Sequence, residues 1–317
     1  MENQKENKIK IFCPENWVDY KLSDTGEGEK LERFGPYVFI RPYEDAVWKK
    51  TLGEGEWAKA DGKFWSSREG AKSGWKMKNK DEQGLPLLKE WKMQYKGVKF
   101  LVSPTPFRHL GFFPEQASHW EFIEETIRDA GKKISTKGGP ASGWKFLNLF
   151  GYTGVASLFA LRAGAEVTHV DASKQTLDWV KKNQELNANI GLDKMPLRVI
   201  LDDALKFLER EIKRGNKYDA VVMDPPKFGR GPKGETWKIE KDLSKLLASV
   251  RKILSDKPLF VILTSYAVDF SSLSLGYALE EAMKDFKGET KQGELCLKEK
   301  SKDRFIPLAS TATWHPL

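Results

Sequence analysis

The chain has too little cysteine for a disulfide framework, with only Cys13 and Cys296 among 317 residues. Their wide separation also lacks the clustered spacing of a zinc site, so no metal is expected. Histidine is equally sparse. His109, His119, His169 and His315 share no motif, which leaves histidine-centred acid–base chemistry without a sequence signature. Long apolar runs are missing as well. The longest uncharged apolar stretch, Pro258 to Val268, falls well short of the ~20 residues that span a bilayer and reads as a buried strand. Met1 to Lys10 is polar and charged, with no apolar segment behind it, so neither a signal peptide nor a membrane partner is expected. A reducing cytoplasm is the expected compartment. There is no internal repeat and no low-complexity tract.

What is present is a globular balance of 40% hydrophobic and 31% charged residues, over a length that accommodates two domains. The formal net charge is +8, which favours a polyanionic partner because clustered Lys and Arg neutralise phosphates and release counterions. Nothing in the sequence fixes the oligomeric state.

The two halves differ in periodicity. Up to about Ser118 the sequence is rich in Gly and Trp and poor in helical spacing, which predicts a β-rich N-terminal domain over 1–118. Tyr37 to Ile40 and Val98 to Val102 read as strands. Trp48, Trp57, Trp65, Trp75 and Trp91 fall beside Lys72, Lys76, Lys78, Lys80, Lys89, Lys92, Lys96 and Lys99. Aromatics among cations suit RNA bases and phosphates. The alternative is that the tryptophans fill a small core while the lysines are solvated.

From His119 onward the pattern is αβ. Trp120 to Ile127 has helical spacing, and Gly131 to Gly143 reads as a linker. Strands are predicted over Phe146–Phe150, Val167–Val170, Leu197–Leu201, Tyr218–Met223 and Leu259–Leu263. Helices are predicted over Val155–Ala163, Ser173 to about Asn189, Ala204–Arg214, Ile239–Leu254 and Leu275–Phe286. Such alternation means a parallel sheet with right-handed crossovers. Two strands then follow without a helix between them, Glu294–Lys298 and Ile306–Trp314. The expected domain over 119–317 is therefore an α/β, Rossmann-like one with a mixed seven-stranded sheet.

Ligands of such sheets bind beyond the strands' carboxyl ends. Asn148-Leu149-Phe150-Gly151-Tyr152-Thr153-Gly154 joins the first strand of the second half to its helix, and its glycines let the backbone approach a ligand closely. The free N–H groups of the helix behind suit a carboxylate or a phosphate. Asp171 ends the second strand, where a carboxylate accepts both ribose hydroxyls. Asp203 follows the third, where one receives an adenine amino group. Asp224-Pro225-Pro226-Lys227-Phe228 follows the fourth. Proline removes N–H donors and leaves carbonyls, so Asp224 and the carbonyls of the Pro225-Pro226 pair would form an acceptor-rich rim around an incoming nucleophile. The full Gly-x-Gly-x-x-Gly pattern of a nicotinamide site is missing.

The ordered set Gly111-Phe112-Phe113-Pro114-Glu115-Gln116, Leu147 to Gly154, Val170-Asp171-Ala172-Ser173, Asp202-Asp203-Ala204 and Asp224 to Phe228 resembles the class I methyltransferase family that includes bacterial large-subunit ribosomal RNA methyltransferases. The resemblance implies S-adenosylmethionine as methyl donor, held by Asn148, Phe150, Gly151, Tyr152, Thr153, Gly154, Asp171, Ala172, Ser173, Asp203, Ala204 and Asp224. It further implies that Gln116 helps to close the site and that the substrate is RNA, ribosomal RNA foremost. Two departures bear on the acceptor atom. Relatives that methylate cytosine C5 use a cysteine after the fifth strand, where this chain has Leu263-Thr264-Ser265-Tyr266. Amino-group methyltransferases favour an aromatic directly after Pro-Pro, where Lys227 stands here with Phe228 one place later. In addition, Ala117 occupies the place of an Arg that usually follows the Gln. The expectation is transfer to nitrogen or oxygen without a cysteine nucleophile. The alternatives are a protein or small-molecule methyltransferase, and a catalytically idle RNA-binding relative.

Overall fold

The computed structural model describes residues 8–66, 73–78, 90–135, 143–266 and 270–317. Lys72, Lys80 and Lys89 lie outside them. The chain divides into two compact units, one of Cys13–Ala117 with Cys296–Ile306, the other of Met1–Phe12, Ser118–Leu295 and Pro307–Leu317.

In chain order, β1 is Lys10–Phe12, followed by β2 (Tyr20–Gly26), β3 (Glu29–Phe34), β4 (Tyr37–Pro42), the short helix α1 (Glu54–Trp57), β5 (Gly62–Ser66), β6 (Ser73–Met77), β7 (Trp91–Tyr95) and β8 (Val98–Val102). Strands β2 to β6 form one five-stranded sheet in sequence order, and β7–β8 form a separate hairpin. The tryptophans take the packing role. Trp57 is buried and donates its indole N–H to Asp24 (3.0 Å). Trp75 meets Phe39 and Phe64 edge-on, and Trp91 stacks on Phe39. Trp65 alone of the five is a large exposed apolar residue.

Charge is buried here too. Glu32 is fully enclosed, takes two 2.7 Å bonds from Arg41 and accepts the Tyr20 hydroxyl. Burial works to raise its pKa, but the charges of Arg41 and Lys30 outweigh burial and hold it at about 2. Asp24 anchors the return of residues 296–306, accepting the Ser301 hydroxyl at 2.6 Å.

The second unit continues with α2 (Ala117–Ser135), β9 (Lys145–Leu149), α3 (Val155–Arg162), β10 (Glu166–Asp171), α4 (Lys174–Glu185), β11 (Leu197–Leu201), α5 (Ala204–Arg214), β12 (Ala220–Met223), the hairpin β13 (Phe228–Arg230) and β14 (Thr236–Lys238), α6 (Ile239–Ile253), β15 (Phe260–Ser265), α7 (Ser272–Met283), β16 (Gly288–Lys298) and β17 (Phe305–Pro316). The sheet order is β1-β16-β17-β15-β12-β9-β10-β11. Strands β15, β12, β9, β10 and β11 are mutually parallel, and β17 runs antiparallel to β15. The chain steps from β9 outward to β11, then crosses to β12 and outward the other way. The carboxyl ends of β9 and β12 therefore flank the switch point of the order, where open α/β sheets bind ligands.

Several boundaries differ from the sequence reading. The sheet has eight strands, because β1 pairs in parallel with β16, so residues 10–12 belong with the α/β unit. Residues 296–306 belong with the β-rich one. Both follow from strand pairing between distant segments, which carries no local signal. Helix α2 runs through Gly131 to Ser135, since one glycine costs a helix only ~1 kcal/mol; the rest of the expected linker, 136–142, lies outside the described residues. Among the described residues, no helix is long and apolar enough to cross a membrane.

Two buried histidines make stability depend on pH. His119 bonds Thr311 Oγ1 through Nε2 (2.8 Å), and burial holds its pKa at about 3. Burial holds that of His169 at about 4. Both titrate near ~6.5 when unfolded, so below that pH the unfolded chain binds protons that the folded chain does not. Stability should therefore fall as pH falls from 6.5 towards 4, these two sites together contributing up to ~3 kcal/mol per pH unit. Urea unfolding at a series of pH values checks this; a midpoint unchanged between pH 7 and 5 would contradict it.

Candidate cofactor site

The turn after β9 is strained. Phe150 and Tyr152 have φ of 57° and 52°, and Gly154 has φ of 82° at the N-cap of α3. Left-handed backbone costs a non-glycine residue on the order of 1–3 kcal/mol unless its surroundings impose it. They do so here. Gly151 N–H donates to the Val170 carbonyl (3.1 Å), Tyr152 N–H to Asp171 Oδ2 (2.8 Å), and Gly154 N–H to the Gly151 carbonyl (3.1 Å). The Phe150 ring packs 5.0 Å from that of Trp237. Thr153 is buried, and its carbonyl accepts Asn183 Nδ2–H (3.0 Å).

Asp171 is the hub of the arrangement. Oδ1 accepts Ser173 N–H (2.9 Å) and the Thr176 hydroxyl (3.0 Å), while Oδ2 takes Tyr152 N–H. Burial raises its pKa above the ordinary aspartate value against the pull of these donors. The Ala172 backbone also pulls on this carboxylate, so the start of α4 and the 150–154 turn are both organised around Asp171. Next to it, Ala172 and Ser173 are half-buried, and the Ser173 hydroxyl caps α4 by accepting Thr176 N–H (3.4 Å).

Asp203 caps α5, accepting Lys206 N–H (3.0 Å), and Ala204 is buried behind it. Beyond β12, Asp224 is half-buried and Pro225 buried; Asp224 N–H reaches the Leu149 carbonyl (3.4 Å), which ties this loop to β9. The acceptor rim is narrower than the sequence suggests, because Trp237 Nε1–H occupies the Pro226 carbonyl (2.6 Å) and Ile239 N–H the Lys227 carbonyl (3.1 Å). Gln116 belongs to the other unit, at the end of a 3-10 turn Pro114–Gln116.

Asn148 faces inward. Its amide donates to Ser157 Oγ (3.0 Å), which in turn meets His169 Nδ1 (3.0 Å). This buried relay escapes a sequence reading because its members sit on three elements. The imidazole lies directly beneath Gly151, where an added Cβ would stand 2.3–2.9 Å from three ring atoms. Gly151→Ala should therefore weaken S-adenosylmethionine binding about tenfold or more, since overpacking costs roughly 1–3 kcal/mol. His169→Ala in the same chain should restore much of the loss. Wild-type affinity in folded Gly151→Ala, measured by calorimetry, would show that the loop accommodates a methyl group.

Seven strands ordered β16-β17-β15-β12-β9-β10-β11, with acids at the ends of β10 and β11 and beyond β12, define the class I methyltransferase architecture. A solved S-adenosylmethionine-dependent methyltransferase from Agrobacterium tumefaciens superposes with a TM-score of 0.86 and 38% identity, covering 97% of this chain and 94% of that one. The chain belongs to the S-adenosylmethionine-dependent methyltransferases. Residues 127–265 match the family described as "Conserved hypothetical protein 95". Ribosomal RNA large subunit methyltransferase K of Neisseria meningitidis is 33% identical over 59% of this chain and 49% of its own length. Ribosomal RNA large subunit methyltransferase I of Aeromonas salmonicida is 36% identical over 42% and 29%. The chain thus spans about half of the first relative and under a third of the second.

Proposed function

We propose that the chain transfers a methyl group from S-adenosylmethionine to a nitrogen or oxygen of RNA, with ribosomal RNA the foremost substrate. The observation that carries this reading is the convergence of the strained 150–154 turn, Asp171, Asp203 and the Asp224-Pro225 loop at the carboxyl ends of adjacent strands. The residues fit the donor. The first N–H groups of α3 would suit its carboxylate, Asp171 would accept from its ribose hydroxyls, and Asp203 would receive its adenine amino group. Ala172, Ser173 and Ala204 stand directly beside those acids in the chain. S-adenosylmethionine supplies, when bound, an electrophilic methyl group on a sulfonium. Asp224 and the Pro225 carbonyl orient the incoming nucleophile by accepting its hydrogens, a positioning and electrostatic role that needs no covalent intermediate. The RNA substrate rests on the basic composition and on similarity to the ribosomal RNA methyltransferases.

Cys13 is half-buried in the β-rich unit and Cys296 is buried. Burial raises the Cys13 pKa, against the pull of the Lys298 backbone, which suppresses the thiolate. Cys13→Ser and Cys296→Ser should keep near-wild-type methyl transfer. Loss of turnover in either folded variant would reopen a thiol mechanism. The substrate is tested by mass spectrometry of ribosomal RNA from a strain lacking the gene. One methylated nucleotide should revert to its unmodified mass, and an unchanged modification profile would count against the RNA reading.

A further inference from the structure

The hairpin that follows Asp224-Pro225 has two unlike faces. Its register pairs Phe228 with Lys238, Gly229 with Trp237, and Arg230 with Thr236. Side chains alternate between faces along a strand and match across a pair. Trp237 therefore points one way, and Phe228, Arg230, Thr236 and Lys238 point the other. Burial follows that division. Trp237 is 3% exposed and roots the hairpin through the Pro226 carbonyl and the Phe150 ring, whereas Phe228 is 53% exposed. Arg230, Lys238 and the turn residue Lys233 are exposed as well. None of the three cations forms an ion pair among the described residues, and the hairpin's carboxylate, Glu235, is engaged by Lys206.

An exposed aromatic ring flanked by unneutralised cations thus stands within a few residues of Asp224. Its chemistry matches an unpaired nucleotide, with a π-face for the base and positive charge for the neighbouring phosphates. Building on the RNA reading above, we propose that the hairpin 228–238 is an RNA-holding arm. Phe228 stacks an unpaired base on its outer face, and Arg230 and Lys238 neutralise the flanking phosphates. Trp237 fixes the arm to the cofactor turn through Phe150, so a base held on the outer face is registered against the methyl-transfer site.

The test uses the full chain and a fluorescein-labelled single-stranded RNA 20-mer of mixed sequence, with binding measured by anisotropy from low to moderate salt. Phe228→Ala should weaken binding about tenfold, within the ~1–3 kcal/mol range of base stacking, and Phe228→Tyr should restore it. Arg230→Ala with Lys238→Ala should make the slope of log affinity against log salt shallower by about 1.4, at ~0.7 per single-strand phosphate. S-adenosylmethionine affinity should stay unchanged in all of them, which separates loss of the arm from loss of fold. If wild type binds RNA and these variants match it in affinity and salt slope, the arm is overturned while the RNA reading stands. If wild type binds neither the 20-mer nor deproteinised ribosomal RNA, both are overturned.

Discussion

Asp171→Ala should bind S-adenosylmethionine about 30- to 150-fold more weakly than wild type. The range follows from one charge-assisted hydrogen bond to a ribose hydroxyl, worth ~2–3 kcal/mol when lost. The structure argues for the upper part of the range, because the carboxylate also takes Tyr152 N–H and two donors from the start of α4. Without it, the left-handed Tyr152 loses the bond that opposes its strain, and the turn relaxes before any ligand arrives. Asp171→Asn keeps an acceptor oxygen and should fall between the two. Calorimetry giving wild-type affinity in a folded Asp171→Ala chain would remove this residue from the site.

Asp224→Ala should behave in the opposite way, with cofactor affinity within about threefold of wild type and turnover reduced about 10²- to 10³-fold, the usual range for losing one preorganised polar contact in a transition state. The hydrogen bond that ties this loop to β9 comes from the Asp224 backbone N–H to the Leu149 carbonyl. It survives the substitution, so the loop should keep its course and the loss should appear in kcat. Near-normal turnover on the unmethylated RNA substrate would remove the Asp224 side chain from the site.

The α/β unit was legible because its physics is local. Buried runs such as Val221-Val222-Met223 alternate with amphipathic helices opened by Ser173 and Asp203, both of which cap through their side chains. The β-rich unit hid most of its strands for the converse reason. Strand β3, Glu-Lys-Leu-Glu-Arg-Phe, reads as a solvated segment, yet Lys30 and Glu32 are buried because Arg41 on β4 completes the ion cluster. The hairpin 228–238 leaves no strand signature in the sequence, because Gly229, Gly231, Pro232 and Gly234 interrupt any alternation, and only the burial of Trp237 shows which face is rooted. At the site itself the acids and glycines were visible, but what holds them was not. Asp171 serves the turn as well as any ligand, and the Asn148–Ser157–His169 relay beneath Gly151 joins side chains from β9, α3 and β10.

The central claim is that this chain moves a methyl group from S-adenosylmethionine to RNA, and one assay addresses it directly. The purified chain is incubated with methyl-tritiated S-adenosylmethionine and ribosomal RNA from cells lacking the gene, with total protein from the same cells in a parallel reaction. The account predicts ribonuclease-sensitive label in the RNA, abolished by Asp224→Ala, and none in the protein. Label confined to protein, or no transfer by a chain that binds the cofactor, would contradict it.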